Sequence, residues 1–147
     1  EQKRTQREIA EKTRILDTMM DSVGVGIEVY DADGKLLIAN QKLLAQMLDL
    51  PPELLRPGTS DRAVLRYLAE HGEYPDETVE ETMDGYDALR ARGDYYAERR
   101  RPNGRWLQVR HFTMPGGGYV ALFTDVTEQK NLEAQLLQSQ KMDALGQ

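Results

Sequence analysis

The sequence contains no cysteine, which excludes a disulfide scaffold, a thiolate metal site and any chemistry that runs through a cysteinyl adduct. It also lacks an apolar run near the 18 residues that a bilayer span requires, its apolar stretches being as short as "LLIA" at 36–39. The charged N-terminus does not read as a signal peptide, so no membrane segment is expected and the chain reads as a soluble, cytoplasmic piece. Basic charge is scarce: the net charge is −6, and "RRR" at 99–101 is the only basic run. Affinity for a phosphate backbone comes largely from clustered Lys and Arg, so nucleic acid is not an expected partner. Histidine occurs twice, at His71 and His111, and neither has a neighbouring Ser, Cys or acidic residue placed as a catalytic partner. The carboxylates lie in solvated runs such as "DETVEE" at 76–81. No enzymatic activity is therefore expected of this chain.

What is present is one domain's worth of core. A chain of 147 residues with 39% hydrophobic content supports a single ordinary domain. Residues 1–20 lack Gly and Pro and are rich in helix formers. Placing Gln6, Thr13 and Met20 at a and Ile9, Leu16 and Val23 at d gives a narrow seven-residue seam, which favours pairing with a second copy. Residues 127–145 also read as helix, although the spacing of Leu132, Leu136, Leu137, Met142 and Leu145 slips in phase. Between the two, "GIEVYDADGKLLIAN" at 26–40 reads as a hairpin about Asp33-Gly34, a pair that supplies positive φ. Helical spacing follows over 41–48, 60–71 and, interrupted by Gly85, 76–93. A second hairpin at 94–112 and a further strand at 119–124 complete the order. The class is α+β: a five-stranded antiparallel sheet with helices on one face, flanked by N- and C-terminal helices of coiled-coil type. The expected division is a signalling helix at 1–22, a core at 23–126 and an output linker helix at 127–147.

The loop "RPNGR" at 101–105 suits a three-residue turn with Gly in the left-handed position, which sets Arg99 opposite Leu107 and Ala97 opposite Val109. One face then carries Tyr95, Ala97, Arg99, Leu107, Val109 and His111. A two-residue turn at Asn103-Gly104 would exchange the faces. On the first register, Arg99, His111 and Tyr95 point toward a pocket, and a buried charge needs a partner. A small anion such as a carboxylate would supply one; a carboxylate of the domain, or the rim, is the alternative. At 125–128, Asp125 and Glu128 have capping-box spacing at the start of the last helix. Gly24-Val25-Gly26 lacks the third glycine of a dinucleotide loop, and Gly116-Gly117-Gly118 precedes a strand, so neither reads as a phosphate cradle.

The order of elements, with "GIEVYDADGKLLIAN", "LPPELLRPG", "LRYLAEHGEY", "ERRRPNGRWLQVR", "PGGGYVALFTDVTEQK" and the tail "LLQSQKMDALGQ", resembles a PAS domain of the branch found in bacterial sensor histidine kinases. The resemblance covers essentially the whole chain, and the pairing of "DVTE" with "QKMDALGQ" is its most specific part. It implies a sensory module that dimerises through its flanking helices, at Ile9, Leu16, Met20 and Val23. It implies that Asp125, Thr127 and Glu128 couple the sheet to an output helix leading to a kinase module. A ligand-free dimerisation spacer and an input to another output, such as a diguanylate cyclase, are the alternatives. The cofactor stays open. Flavin photosensors of this family use a reactive cysteine that is absent here, and haem-binding members use a helix histidine, for which His71 is the one candidate. A lone histidine at a helix end is more often a cap or a surface residue.

Overall fold

The computed structural model describes residues 2–146, with the side chains of 3–146; Glu1 and Gln147, the ends of the two expected terminal helices, lie outside the described residues. The elements run α1 (Gln2–Val23), β1 (Gly26–Tyr30), β2 (Leu36–Ala39), α2 (Gln41–Leu48), a 3-10 turn (Pro52–Leu55), α3 (Asp61–Glu70), α4 (Val79–Arg92), β3 (Tyr95–Arg100), β4 (Trp106–Thr113), β5 (Tyr119–Asp125) and α5 (Thr127–Gly146). All five strands join one sheet in the order β2-β1-β5-β4-β3, every neighbouring pair antiparallel. The last strand is therefore central, and the two hairpins flank it.

Turn chemistry fixes both hairpins. In the first, the Asp31 carboxylate accepts from the N–H groups of Asp33 and Lys35, and Gly34 takes φ +76°. A Cβ at Gly34 would lie 2.7 Å from Asp61 Oδ1, so glycine also lets this turn press against the start of α3. In the second, Arg101 N–H donates to the Arg105 carbonyl at 2.7 Å and Gly104 has φ +89°. The three-residue turn sets Arg99 opposite Leu107 and Ala97 opposite Val109, the first of the two registers weighed from sequence.

Helices α2, α3 and the 3-10 turn cover one face of the sheet, where Leu44, Leu48, Leu55, Val64 and Leu68 meet Leu107 and Val109 of β4. Each fully buried leucine there contributes about 1.5–3 kcal/mol of transfer free energy. A second cluster joins Tyr30, Leu36, Tyr119 and Ala121 beside it. Helix α4 starts at a capping box, Thr78 Oγ1 accepting from Glu81 N–H while the Glu81 carboxylate accepts from Thr78 N–H. It runs unbroken through Gly85, contrary to the expected interruption. Fixed ends and packing on α3 outweigh the local cost of one helical glycine, about 1 kcal/mol.

The terminal helices project from this body. Among the described residues α5 buries none of its side chains, and Ile9, Leu16 and Val23 of α1 are exposed. Met20 is the exception and corrects the expected seam: it is 8% exposed within its own chain, so it is not free to face a second copy. Asn40 anchors that end of α1, its amide donating to the carbonyls of Met20 and Val25 while its oxygen accepts from Ile27 N–H. No described helix is long and apolar enough to cross a membrane.

Candidate functional site

Strand register builds a hollow in the sheet. Ala39, Glu28, Ala121, His111 and Tyr95 form one cross-strand row on the face turned toward the helices. Two alanines flank Glu28, whereas the next row outward carries the large rings of Tyr30 and Tyr119. The space left over small side chains becomes a cavity of about 500 Å³, closed by Asp61, Val64 and Leu68 of α3 and by Thr82, Gly85, Tyr86 and Leu89 of α4. That volume suits one small organic molecule.

A hydrogen-bonded acid–tyrosine cluster lines it. Asp61 Oδ2 accepts from Tyr86 Oη at 2.7 Å, Tyr119 Oη at 2.9 Å and Arg90 Nη1 at 2.9 Å. The hydroxyls of Tyr86 and Tyr119 also lie within bonding distance of each other, so either can turn its single proton from Asp61 to the other, and the Arg90 guanidinium lies 4.5 Å from the Tyr119 ring centroid. Tyr30 Oη donates to Glu28 Oε2. Glu28 is 3% exposed, and no salt bridge reaches it among the described residues. Burial pushes its carboxyl up to about 7, reinforced by the Asp61 charge and opposed by the Tyr30 hydrogen bond. Burial likewise raises the hydroxyls of Tyr30, Tyr86 and Tyr119, which keeps them protonated as donors.

His111 and Tyr95 do reach the cavity, as the register required. The His111 ring stacks on Tyr119 at 5.3 Å and meets Tyr86 and Tyr95 edge-on. Burial, with the Arg90 charge, pulls it down to about 4 despite Asp61. It is neutral at physiological pH. Arg99 also lines the cavity, but its Nη1 donates to Glu73 Oε2 at 2.5 Å and its guanidinium covers Tyr74. Glu73 in turn receives Arg101 through Nε and Nη2, both at 2.9 Å. Arg101, 7% exposed, also donates to the Met47 carbonyl and to Asp49. Of the two partners weighed for Arg99, an external anion and a carboxylate of the domain, the structure supplies the second. His71 stands outside the cavity, exposed at the end of α3, stacked on Tyr67 with Nδ1 against the Tyr67 carbonyl. That placement removes it as an axial ligand within the cavity.

The last strand and last helix meet in a bonded corner. Trp106 N–H donates to Thr127 Oγ1 and its carbonyl accepts from Val126 N–H, both at 2.9 Å. Asp125 Oδ1 accepts from Thr127 N–H, and Arg105 Nε donates to Asp125 Oδ2 at 2.7 Å. Those bonds hold the Asp125 carboxyl below its usual range against the opposing effect of burial. The first helical bond runs from Lys130 N–H to the Val126 carbonyl, so the helix begins one residue later than a capping box at Asp125 requires. Among the described residues Glu128 makes no reciprocal bond, which corrects the capping-box reading. Lys130 spans back to Glu98 at 3.3 Å and over the Trp106 ring, a contact that sequence reasoning missed because it joins elements 24–32 positions apart.

A family model described as PAS fold matches residues 20–134. The chain is 28% identical over 126 residues to the non-motile and phage-resistance protein of Caulobacter vibrioides, covering 84% of this chain and 13% of that protein. It thus spans about an eighth of that curated relative's length. Among solved structures, the PAS domain of an HTR-like protein from Haloarcula marismortui is similar at 21% identity and TM-score 0.47, covering 84% of this chain and 98% of the other. A domain of a sensory box sensor histidine kinase/response regulator from Geobacter sulfurreducens is similar at 16% identity and TM-score 0.48, over 80% and 96% of the two chains. The phage VqmA–DPO complex is similar at 16% identity and TM-score 0.48, over 88% and 60%.

Proposed function

The chain belongs to the PAS family, and from that premise we propose that it is a non-catalytic sensory module relaying the occupancy of its cavity to a histidine kinase domain. The observation that carries the relay is the corner at Trp106, where the hydrogen bonds to Thr127 and Val126 join β4 to the first turn of α5 without a flexible spacer. Trp106 begins the strand whose inward residues include Val109 and His111, both in the cavity wall. A ligand that shifts β4 therefore has a hydrogen-bonded route to the helix. Asp125 and Thr127 are the coupling residues of this reading, with Glu128 a solvent-facing neighbour of that first turn. The tail "QKMDALGQ" supports a kinase as the output.

Residues 1–22 and 127–147 act as the input and output helices of a 23–126 core, and two copies pair through them. Exposed Ile9, Leu16 and Val23 on α1 and exposed Leu132, Leu136 and Met142 on α5 support that pairing, since a lone chain leaves them in water. The test is made on the parent kinase. Thr127→Val removes the acceptor for Trp106 N–H, and one residue inserted after Thr127 rotates the helix by about 100°. Both are expected to change autophosphorylation while the isolated domain keeps its melting temperature within a few degrees. Unchanged kinase output in both variants refutes the relay.

A further inference from the structure

The charges lining the cavity do not balance, and the imbalance defines what would complete it. Three carboxylates, Glu28, Asp61 and Glu77, line the space beside one guanidinium, Arg99. Arg99 is taken by Glu73, and Asp61 by Arg90. Among the described residues the Glu77 carboxylate bonds only the Thr82 hydroxyl, and that of Glu28 only the Tyr30 hydroxyl. Every fully enclosed side-chain polar atom among the described residues has a partner, yet Glu28 bonds through Oε2 alone, so its Oε1 opens on the cavity. An acid at the floor of the hollow, with no cation paired to it among the described residues, is one half of an ion pair.

We propose that the cavity recognises a small molecule carrying a protonated amine on an apolar body, with Glu28 Oε1 as its counter-ion and the rings of Tyr30 and Tyr86 beside the ammonium group. The aromatic wall suits such a group, because the negative face of a tyrosine ring attracts cations. Tyr119 is already engaged, by Arg90, Tyr30 and His111, which leaves Tyr30 and Tyr86 for the ligand. The small neighbours Ala39 and Ala121 leave room beside the carboxylate for a head group. An anion would meet the opposite situation, since the lining cation has its carboxylate and the surplus is acidic. This proposal rests on the sensory reading above and deepens it by naming the ligand class.

The pH dependence follows from the groups that face Glu28. The charged neighbours are Asp61, bridged to Arg90, Arg99, bridged to Glu73, and Glu77, bonded to Thr82; burial keeps the hydroxyls of Tyr30, Tyr86 and Tyr119 protonated, and His111, pulled down to about 4, stays neutral. Glu28, pushed up to about 7, changes charge around that value. Its ionised fraction rises from about a tenth at pH 6 to about nine-tenths at pH 8, so an amine that needs the carboxylate binds roughly tenfold tighter at the higher pH.

The experiment titrates the whole chain by calorimetry with phenethylamine, tryptamine and hexylamine, each beside the carboxylate of matching skeleton: hydrocinnamate, indolepropionate and heptanoate. Expected are binding of at least one amine over its matched carboxylate, a roughly tenfold gain from pH 6 to pH 8, and at least tenfold weaker binding to Glu28→Gln at pH 8. Circular dichroism checks that the variant folds, and the wild-type pH ratio decides the matter if it does not. Carboxylates that bind as well as the amines overturn the assignment and leave the sensory reading standing. So does amine affinity that ignores pH. No binding by any of the six compounds overturns it too. Pronounced amine binding that leaves parent kinase output unchanged supports the ligand class and removes the relay instead.

Discussion

Glu28→Gln has a consequence for the unliganded protein that can be worked out in advance. The carboxyl of Glu28 moves from an ordinary 4.5 to about 7 on folding, so the folded state holds its proton more tightly than the unfolded chain. Stability from this source is fully present below pH 4.5 and is lost as pH rises through about 7. At about 1.4 kcal/mol for each tenfold difference in proton affinity, the loss amounts to about 3 kcal/mol. Glutamine keeps the shape and an acceptor for the Tyr30 hydroxyl but does not titrate. The variant should match the wild type near pH 4.5 and exceed it by about 3 kcal/mol at pH 8. Urea unfolding of both proteins across that range gives the difference directly, and titrating groups that do not interact with Glu28 cancel in it. A stability difference that stays flat from pH 4.5 to pH 8 would refute the reasoning, because it would mean that Glu28 titrates alike in both states.

Arg101→Ala removes a buried guanidinium from Glu73 and from the Met47 carbonyl; since Arg99 still serves Glu73, the cost should lie at the lower end of the range for breaking a buried pair, about 3 kcal/mol, and a loss under 1 kcal/mol in chemical denaturation would count against that network. Gly85→Ala adds a methyl group that meets nothing within 4 Å, so α4 should gain about 0.5–1 kcal/mol, seen as a higher melting temperature; a lower one would show that the cavity needs the glycine. Charged replacements at Ile9 and Leu16, both exposed on α1, should shift the assembly toward monomer in light scattering, and an unchanged mass would remove that face from the contact.

The strands and the register at 95–111 were legible because turn residues and alternation act over a few positions: "RPNGR" admits few geometries, and one of them sets Arg99 against Leu107. Glu28 was not legible. In "GIEVY" the apolar Ile27 and Val29 suggest the buried parity, yet Gly26, Glu28 and Tyr30 face the helices and are the buried set. Ile27 and Val29 lie half-buried on the outer face, level with Leu122 and Val120 of β5. A sheet apolar on both faces carries no alternation signal that tells one from the other. Asp61 was not legible either, since its partners Tyr86, Arg90 and Tyr119 come from two later elements. Met20 fitted a heptad and is buried instead, because Asn40, twenty residues on, draws the end of α1 onto the core.

Strands β1 and β5 are neighbours and antiparallel, with Gly26 opposite Phe123, so the chain enters the core and leaves it at adjacent points, about one interstrand spacing or 5 Å apart. The residues between them form a closed excursion whose two ends lie side by side. Such a unit can be cut out, exchanged or repeated in tandem with little change in where the flanking helices stand. A parent protein could add or lose copies of it by whole-unit insertion, keeping the downstream machinery in place while changing what the machinery answers to.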